Sequence, residues 1–286
     1  MAKKTKPLST DSVVVEIFDE GIASVTLNRP QVHNAFDEDL ISGLTGALRA
    51  LERNPEVRVV VLAAEGKSFS AGGDLNWMKR MAMATGKKNL DDALGLAGLM
   101  RTLDDLSKPT IARVQGPAYG GGVGLIAACD IAIACREAAF ALSEVRLGLI
   151  PAVIGPYVIQ AMGARRARRY FLTGERFDAA EAYRIGLVHD ICEMDDLDGH
   201  VQLAAGQLLM GGPKALAAAK KLIADAAARP LDGELSRDTA ARIAELRAGD
   251  EGREGVAAFL EHRNAAWVEE LRARQPKPAK PRKRNT

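Results

Sequence analysis

Four short, almost uninterrupted apolar runs constrain this chain most: RVVVLAAEG at 58–66, TIARVQG at 110–116, IAIAC at 131–135 and AAFAL at 138–142. Strands apolar on both faces belong to buried sheets of the parallel kind, and parallel neighbours need long, usually helical, crossovers. Helical patterns sit between these runs. DEDLISGLTGALRALERN, from Asp37, places Leu40, Leu44, Leu48 and Leu51 at helical spacing behind an acidic first turn, with Pro55 beyond its end. Ahead of it, VVVEIF at 13–18 and IASVTLN at 22–28 flank Asp19-Glu20-Gly21, a turn of hairpin length, which predicts an antiparallel pair. The alternation predicts a layered α/β core over residues 13–190.

After Pro151 the pattern changes to helices only. Segments 155–163, 164–173, 178–185, 196–210, 213–228 and 232–249 are rich in Ala and Leu and are broken by Gly186, Gly211-Gly212, Pro213 and Pro230. Residues 191–271 are therefore expected to form a helical C-terminal region. Its small apolar faces suit packing on each other or on a neighbouring subunit, and the pattern leaves both open.

The formal charge of +2 is a property of the ends. Lys3, Lys4 and Lys6 lie in residues 1–10, and Arg272, Arg274, Lys277, Lys280, Arg282, Lys283 and Arg284 crowd residues 272–286, with no acid in either stretch. Setting those ten aside leaves 29 basic residues against 37 acidic ones, a body of about −8. The Pro-rich end, short of apolar side chains, cannot offset its ordering entropy, so residues 1–12 and 272–286 are expected to be disordered. Basic tails bind nucleic acid weakly and without base readout, and no aromatic residues are interleaved here, so nucleic-acid binding is the rival class rather than the favoured one.

A chain of 286 residues can bury a core without disulfides or structural metal. Cys129, Cys135 and Cys192 form no C-x-x-C pair, and two of them lie in apolar runs, which suits reduced thiols in a cytoplasmic protein. His33, His189, His200 and His262 are scattered, so no metal site is expected. No signal peptide or apolar run of spanning length is visible, and no membrane association is expected.

Glycine concentrates at two places, each just beyond a predicted buried strand: FSAGGDL at 69–75 and QGPAYGGGVGLIAACD at 115–130. Such loops let backbone approach a ligand and point free N–H groups at negative charge, although tight turns and close packing are the plainer explanation of a lone Gly pair. Familiar phosphate motifs fit poorly. Gly122-x-Gly124-x-x-Ala127 matches a permissive dinucleotide pattern, but Pro117, Ala118 and Tyr119 separate it from the strand end. Gly66-Lys67-Ser68 lacks the earlier glycine of a phosphate-binding loop, Val61 standing there. Between AAFAL and a second apolar run lies Glu144, whose desolvation would raise its pKa toward acid/base use. A salt bridge to Arg146 or Arg113 is the competing account, and composition alone favours it.

KSFSAGGDLNWM, KPTIARVQGPAYGGGVGLIAACDIAIAC and AAFALSEVRLGLIPAVIGPYV, in this order and spacing, resemble the crotonase superfamily, the enoyl-CoA hydratase/isomerase family; NRPQVHNAF and GVAAFLEHR match further recurrent features. The likeness spans residues 13 to about 267. It implies a spiral of ββα units with a helical trimerisation region, a homotrimer or dimer of trimers, acyl-CoA thioester substrates, and no cofactor beyond the coenzyme A of the substrate. It also implies that the Gly73 and Gly121 N–H groups form an oxyanion hole, that Glu144 is one of two catalytic glutamates, and that Ala71, Asp74, Gly124 and Pro151 bind substrate. Gly124 stands where the other glutamate is usual. GGGVGLIAACDIAI, LSEVRLGLIPAVIGPYVI and RRARRYFLTGERFDA are most similar to bacterial 3-methylglutaconyl-CoA and carboxygeranoyl-type CoA hydratases, which implies a branched or dicarboxylate enoyl-CoA. In that case the substrate's distal carboxylate, an ordered water, or Glu144 in both roles replaces the missing glutamate. A Δ3,Δ2-enoyl-CoA isomerase working with one glutamate is the nearest alternative.

Overall fold

The hairpin forms one edge of the main sheet. In the computed structural model, which describes residues 8–274, β1 (Val13–Ile17) and β2 (Ile22–Leu27) run antiparallel with Val13 opposite Leu27. Asp37 then caps α1 (Glu38–Glu52) by accepting the Leu40 N–H, and the predicted stripe Leu40, Leu44, Leu48 and Leu51 is buried. Each such side chain contributes about 1.5–3 kcal/mol on burial. β3 (Val59–Ala64), buried at all six positions, returns parallel to β2. The crossover α2 (Leu75–Ala82) and α3 (Gly86–Asp104) leads to β4 (Thr110–Val114), parallel to β3.

Two-residue β5 (Ala118–Tyr119) and α4 (Gly121–Ala128) connect β4 to β6 (Ile131–Cys135), again parallel. After β7 (Ala139–Ala141) come α5 (Gly155–Met162), α6 (Ala164–Thr173), β8 (Arg176–Asp178), α7 (Ala179–Ile185) and β9 (Asp190–Cys192). The C-terminal helices are α8 (Leu197–Met210), α9 (Pro213–Ala227), α10 (Gly233–Ala248), α11 (Asp250–Leu260) and α12 (Ala266–Arg274). The main sheet has the order β1-β2-β3-β4-β6-β9, and a second sheet the order β5-β7-β8. This is a layered α/β architecture, with α8 laid against β3, β4 and β6.

Two expectations need correction, and one strand lies in a sheet the pattern left open. The run 138–142 belongs to the second sheet: β7 pairs with β5 in parallel and with β8 in antiparallel fashion, and Phe140 stacks on Phe177 at 5.6 Å. Apolarity on both faces reports burial, not which sheet a strand joins. The stretch after Pro151 is not helical throughout, because β8 and β9 are strands of three residues, too short to show a period, that pair onto edges already formed by β7 and β6. The expected tails are shorter than the sequence suggests. The Ser9 hydroxyl accepts the Val15 N–H at 2.9 Å, Thr10 pairs with Val13, and residues 272–274 complete α12. The disorder expected of 1–7 and 275–286 lies outside the described residues. The three cysteines are buried, and burial pushes the Cys129 thiol up to about 12. Among the described residues no helix is long and apolar enough to cross a membrane.

Candidate active site

The two glycine-rich loops are joined by backbone hydrogen bonds into a small irregular ladder. Phe69 and Ser70 donate their N–H groups to Pro117 O at 3.0 and 3.2 Å, and Tyr119 donates to Ser70 O at 2.8 Å. On the other side of the first loop, Phe36 donates to Gly72 O at 2.7 Å and Asp74 to Phe36 O at 2.8 Å. Glycine is required where these segments meet. Gly72 (φ +86°) and Gly120 (φ +50°) lie in the region L side chains rarely adopt, and a Cβ at Gly120 would stand 3.1 Å from Glu144 Oε1 and 3.9 Å from Gly72 Cα.

This ladder decides where two N–H groups point. The Gly72 carbonyl is tied to Phe36, and across a trans peptide the Gly73 N–H points the opposite way, away from Phe36. Gly121 opens α4, where the first N–H groups have no intrahelical acceptor, and Gly120 supplies no capping side chain. Neither N–H donates to another protein group among the described residues. Two open backbone donors on adjoining loops are suited to an oxygen that gains negative charge.

Glu144 begins a 3-10 turn, Glu144–Leu147, separated from the end of β7 by two residues. Its Oε2 is buried without a hydrogen-bond partner, and burial pushes its carboxyl above the ordinary carboxylate range, opposed in part by its own backbone N–H. The competing salt bridges are not formed: Arg113 pairs with Asp198 at 2.6 Å, and Arg146 reaches Thr173 O. A desolvated carboxyl without an ion partner is the environment of an acid/base group.

The other candidates stand apart from this cluster in different ways. Asp74 is committed elsewhere: it caps α2 through Asn76 and Trp77 and pairs with Arg29, so its carboxylate is not free for substrate. Against the penalty of burial, the Trp77 and Asn76 N–H groups and Arg29 hold it below the usual carboxylate range. Gly124 does not face open space, contrary to expectation. A Cβ there would lie 2.3 Å from Ile154 Cγ2 and 3.3 Å from Met100 Cε, so the place of a side chain is filled by the core. Ala71 is exposed, its N–H bound to His33 O, and Pro151 is buried ahead of α5.

NRPQVHNAF holds residues to which the sequence assigned no role. Asn34, fully buried at φ +52°, accepts the Arg29 N–H and donates to Glu65 O and Ser68 O, holding the turn that delivers Phe36 to Gly73. Asn beside a Pro turn was the available signal, because Asn tolerates the left-handed region.

A model of the family described as enoyl-CoA hydratase/isomerase matches residues 18–270. The short-chain-enoyl-CoA hydratase of Clostridium acetobutylicum is 32% identical over 261 residues, covering 90% of this chain and 97% of that protein. Among solved structures, an enoyl-CoA hydratase from Shewanella pealeana superimposes with a TM-score of 0.87 at 46% identity, covering 90% of this chain and 96% of the other. Pseudomonas aeruginosa AtuE gives 0.86 at 35% identity, with 90% and 99% covered.

Proposed function

This chain belongs to the enoyl-CoA hydratase/isomerase family, and from that premise we propose that it adds water to, or removes it from, an α,β-unsaturated CoA thioester, with Glu144 moving the proton and Gly73 and Gly121 holding the thioester oxygen. The single observation that carries this reading is the Glu144 carboxyl, its Oε2 buried without a hydrogen-bond partner, beside the loop backbone that bears both open N–H groups.

The steps balance with one carboxylate. Ionised Glu144 takes a proton from water as the water oxygen bonds to the β-carbon, and the double-bond electrons move to the thioester oxygen. The Gly73 and Gly121 N–H groups stabilise that enolate, one such donor being worth about 3 kcal/mol of barrier. Glu144 then returns its proton to the α-carbon. Coenzyme A enters and leaves as part of substrate and product, and no separate cofactor is needed.

Gly124 offers no second acid, and this favours one alternative: a Δ3,Δ2-isomerase, in which Glu144 carries a proton between C4 and C2 without activating water. The finer reading of the acyl group, a branched or dicarboxylate enoyl-CoA such as 3-methylglutaconyl-CoA, rests on the likeness of the three sequence runs. Ile154 leaves no room at Gly124 itself, so any branch or second carboxylate sits elsewhere in the site. A homotrimer or dimer of trimers is the assembly we propose; the exposed Val256, Phe259 and Leu260 of α11 support burial against a further copy. The basic tails are assigned no role in turnover, and a cytoplasmic location is proposed.

The test is turnover of crotonyl-CoA, 3-methylglutaconyl-CoA and a 3-enoyl-CoA by purified protein and by Glu144→Gln. Hydration by the wild type, lost in the variant, is expected. Conversion of the 3-enoyl-CoA alone would install the isomerase, and full activity of Glu144→Gln would remove Glu144 from the mechanism.

A further inference from the structure

We propose that Arg29 is a positioning residue for the Gly73 N–H: its guanidinium ties together the N-caps of α1 and α2 and so locks the one backbone bridge that aims this donor. The proposal deepens the reading of the site given above and rests on it.

The geometry is a division of labour between oxygens. Asp37 gives Oδ1 to the Leu40 N–H at 2.9 Å, capping α1, and Oδ2 to Arg29 Nη2 at 2.7 Å. Asp74 does the same for α2: Oδ1 accepts from Asn76 and Trp77 at 2.8 and 3.2 Å, and Oδ2 faces Arg29 Nη2 at 3.3 Å. Arg29 Nη1 also donates to Ala35 O at 2.6 Å. The three side chains are 17%, 17% and 11% exposed, so water screens them weakly.

Asp37 directly follows Phe36, and Asp74 directly follows Gly73. The two residues that Arg29 joins are therefore the next residues along from the two that form the Phe36–Gly73 bridge. That bridge holds the Gly72 carbonyl and, through the planar peptide, the direction of the Gly73 N–H. Without the guanidinium, two largely buried carboxylates face each other across it and repel, and the bridge opens. An oxyanion donor is effective only within hydrogen-bond distance of the developing charge, and a displacement of about 1 Å in such a site costs about 10²-fold in rate.

Helix capping alone makes a different forecast. Asn caps a helix about as well as Asp, so Asp37→Asn and Asp74→Asn keep both helices started while weakening the tie to Arg29. The experiment compares wild type, Arg29→Met and these two variants in three readouts: kcat against KM for crotonyl-CoA, the thermal midpoint, and the vibrational frequency of a ¹³C-labelled thioester carbonyl in bound butyryl-CoA, which cannot be hydrated. Wild type is expected to lower the carbonyl frequency relative to free ligand. Arg29→Met is expected to lose about half of that shift or more and about 10- to 100-fold in kcat, with KM changed less than about threefold. Asp74→Asn and Asp37→Asn are expected to move both readouts in the same direction, by less, at an unchanged midpoint, and they decide the matter if Arg29→Met does not fold. A wild-type carbonyl shift retained in full by the folded variants would overturn the role of Arg29 alone. A wild type with no shift would overturn the Gly73 and Gly121 assignment, and this proposal with it.

Discussion

α2 and α4 each begin at the end of a glycine-rich loop, yet their N-termini are finished in opposite ways. α2 buries no residue and starts from Asp74, whose carboxylate occupies its first free N–H groups. α4 buries six of its eight residues and starts from Gly120, which caps nothing. The uncapped end keeps the partial positive charge of a helix N-terminus, equivalent to roughly half an elementary charge. Gly121 therefore offers an oxyanion both a hydrogen bond and a field. Gly73, one residue before a carboxylate, offers direction alone. The two halves of the proposed oxyanion hole are therefore expected to be unequal, with the α4 half carrying more of the stabilisation.

The largest effect tests the group both halves serve. Glu144→Gln keeps the shape of the side chain and removes proton transfer, and should lower kcat about 10² to 10⁴-fold with little change in affinity for coenzyme A. The base must be ionised, so activity should rise with pH through the Glu144 pKa, and burial puts that acid limb above the ordinary carboxylate value of about 4.3. A kcat/KM profile flat down through that value would separate Glu144 from the proton transfer.

Next comes the contrast itself. A Cβ at Gly121 would lie 2.9 Å from the Phe36 ring, so Gly121→Ala should displace the start of α4 and cost about 10²-fold in kcat, the size of one lost donor. Gly121→Pro is a poorer probe, because it adds the same clash to the loss of the N–H. Gly73→Ala meets Trp77 and Met78 at 3.1–3.2 Å, and since Met78 is flexible, about 10-fold is expected. Steady-state kinetics of the pair, with CoA affinity as control, decides; a greater loss for Gly73→Ala would reverse the ranking.

The smallest effect concerns the buried face of α4. Gly124→Glu drives a side chain into Ile154, so it should cost about 1–3 kcal/mol of stability and add no hydration of crotonyl-CoA. Pairing it with Ile154→Ala makes room, and that double variant should hydrate crotonyl-CoA better than Gly124→Glu alone. Thermal unfolding and crotonyl-CoA turnover check both parts. A gain in the single variant would mean that Ile154 yields readily.

Much of the fold was legible because its signals are local. The Leu40, Leu44, Leu48 and Leu51 stripe, the 13–28 hairpin and the helices from 155 to 249 are near-neighbour patterns, and they lie where the periodicity put them. β8 and β9 were missed because three residues carry no period, and the sheet that β7 joins was not legible because burial looks alike in either. At the site, the two loops stood out by their glycines and Glu144 by its place between apolar runs, although composition alone favoured a salt bridge for it; Asp74 and Gly124, which the family likeness assigned to substrate, turn out to be held by Arg29 and filled by Ile154.

The sequence alone determined which backbone would be free to approach a ligand, because glycine is the residue that permits φ near +86° at Gly72 and +50° at Gly120. It also singled out Glu144 as the carboxylate set between two apolar runs. Tertiary structure decided the rest. Whether Arg113 neutralised Glu144, whether Asp74 faced substrate or Arg29, and whether the gap at Gly124 was a pocket or the seat of Ile154 all turned on partners distant in the chain. An ion pair or a filled cavity belongs to two residues at once, and a sequence brings such residues together only through the fold that closes between them.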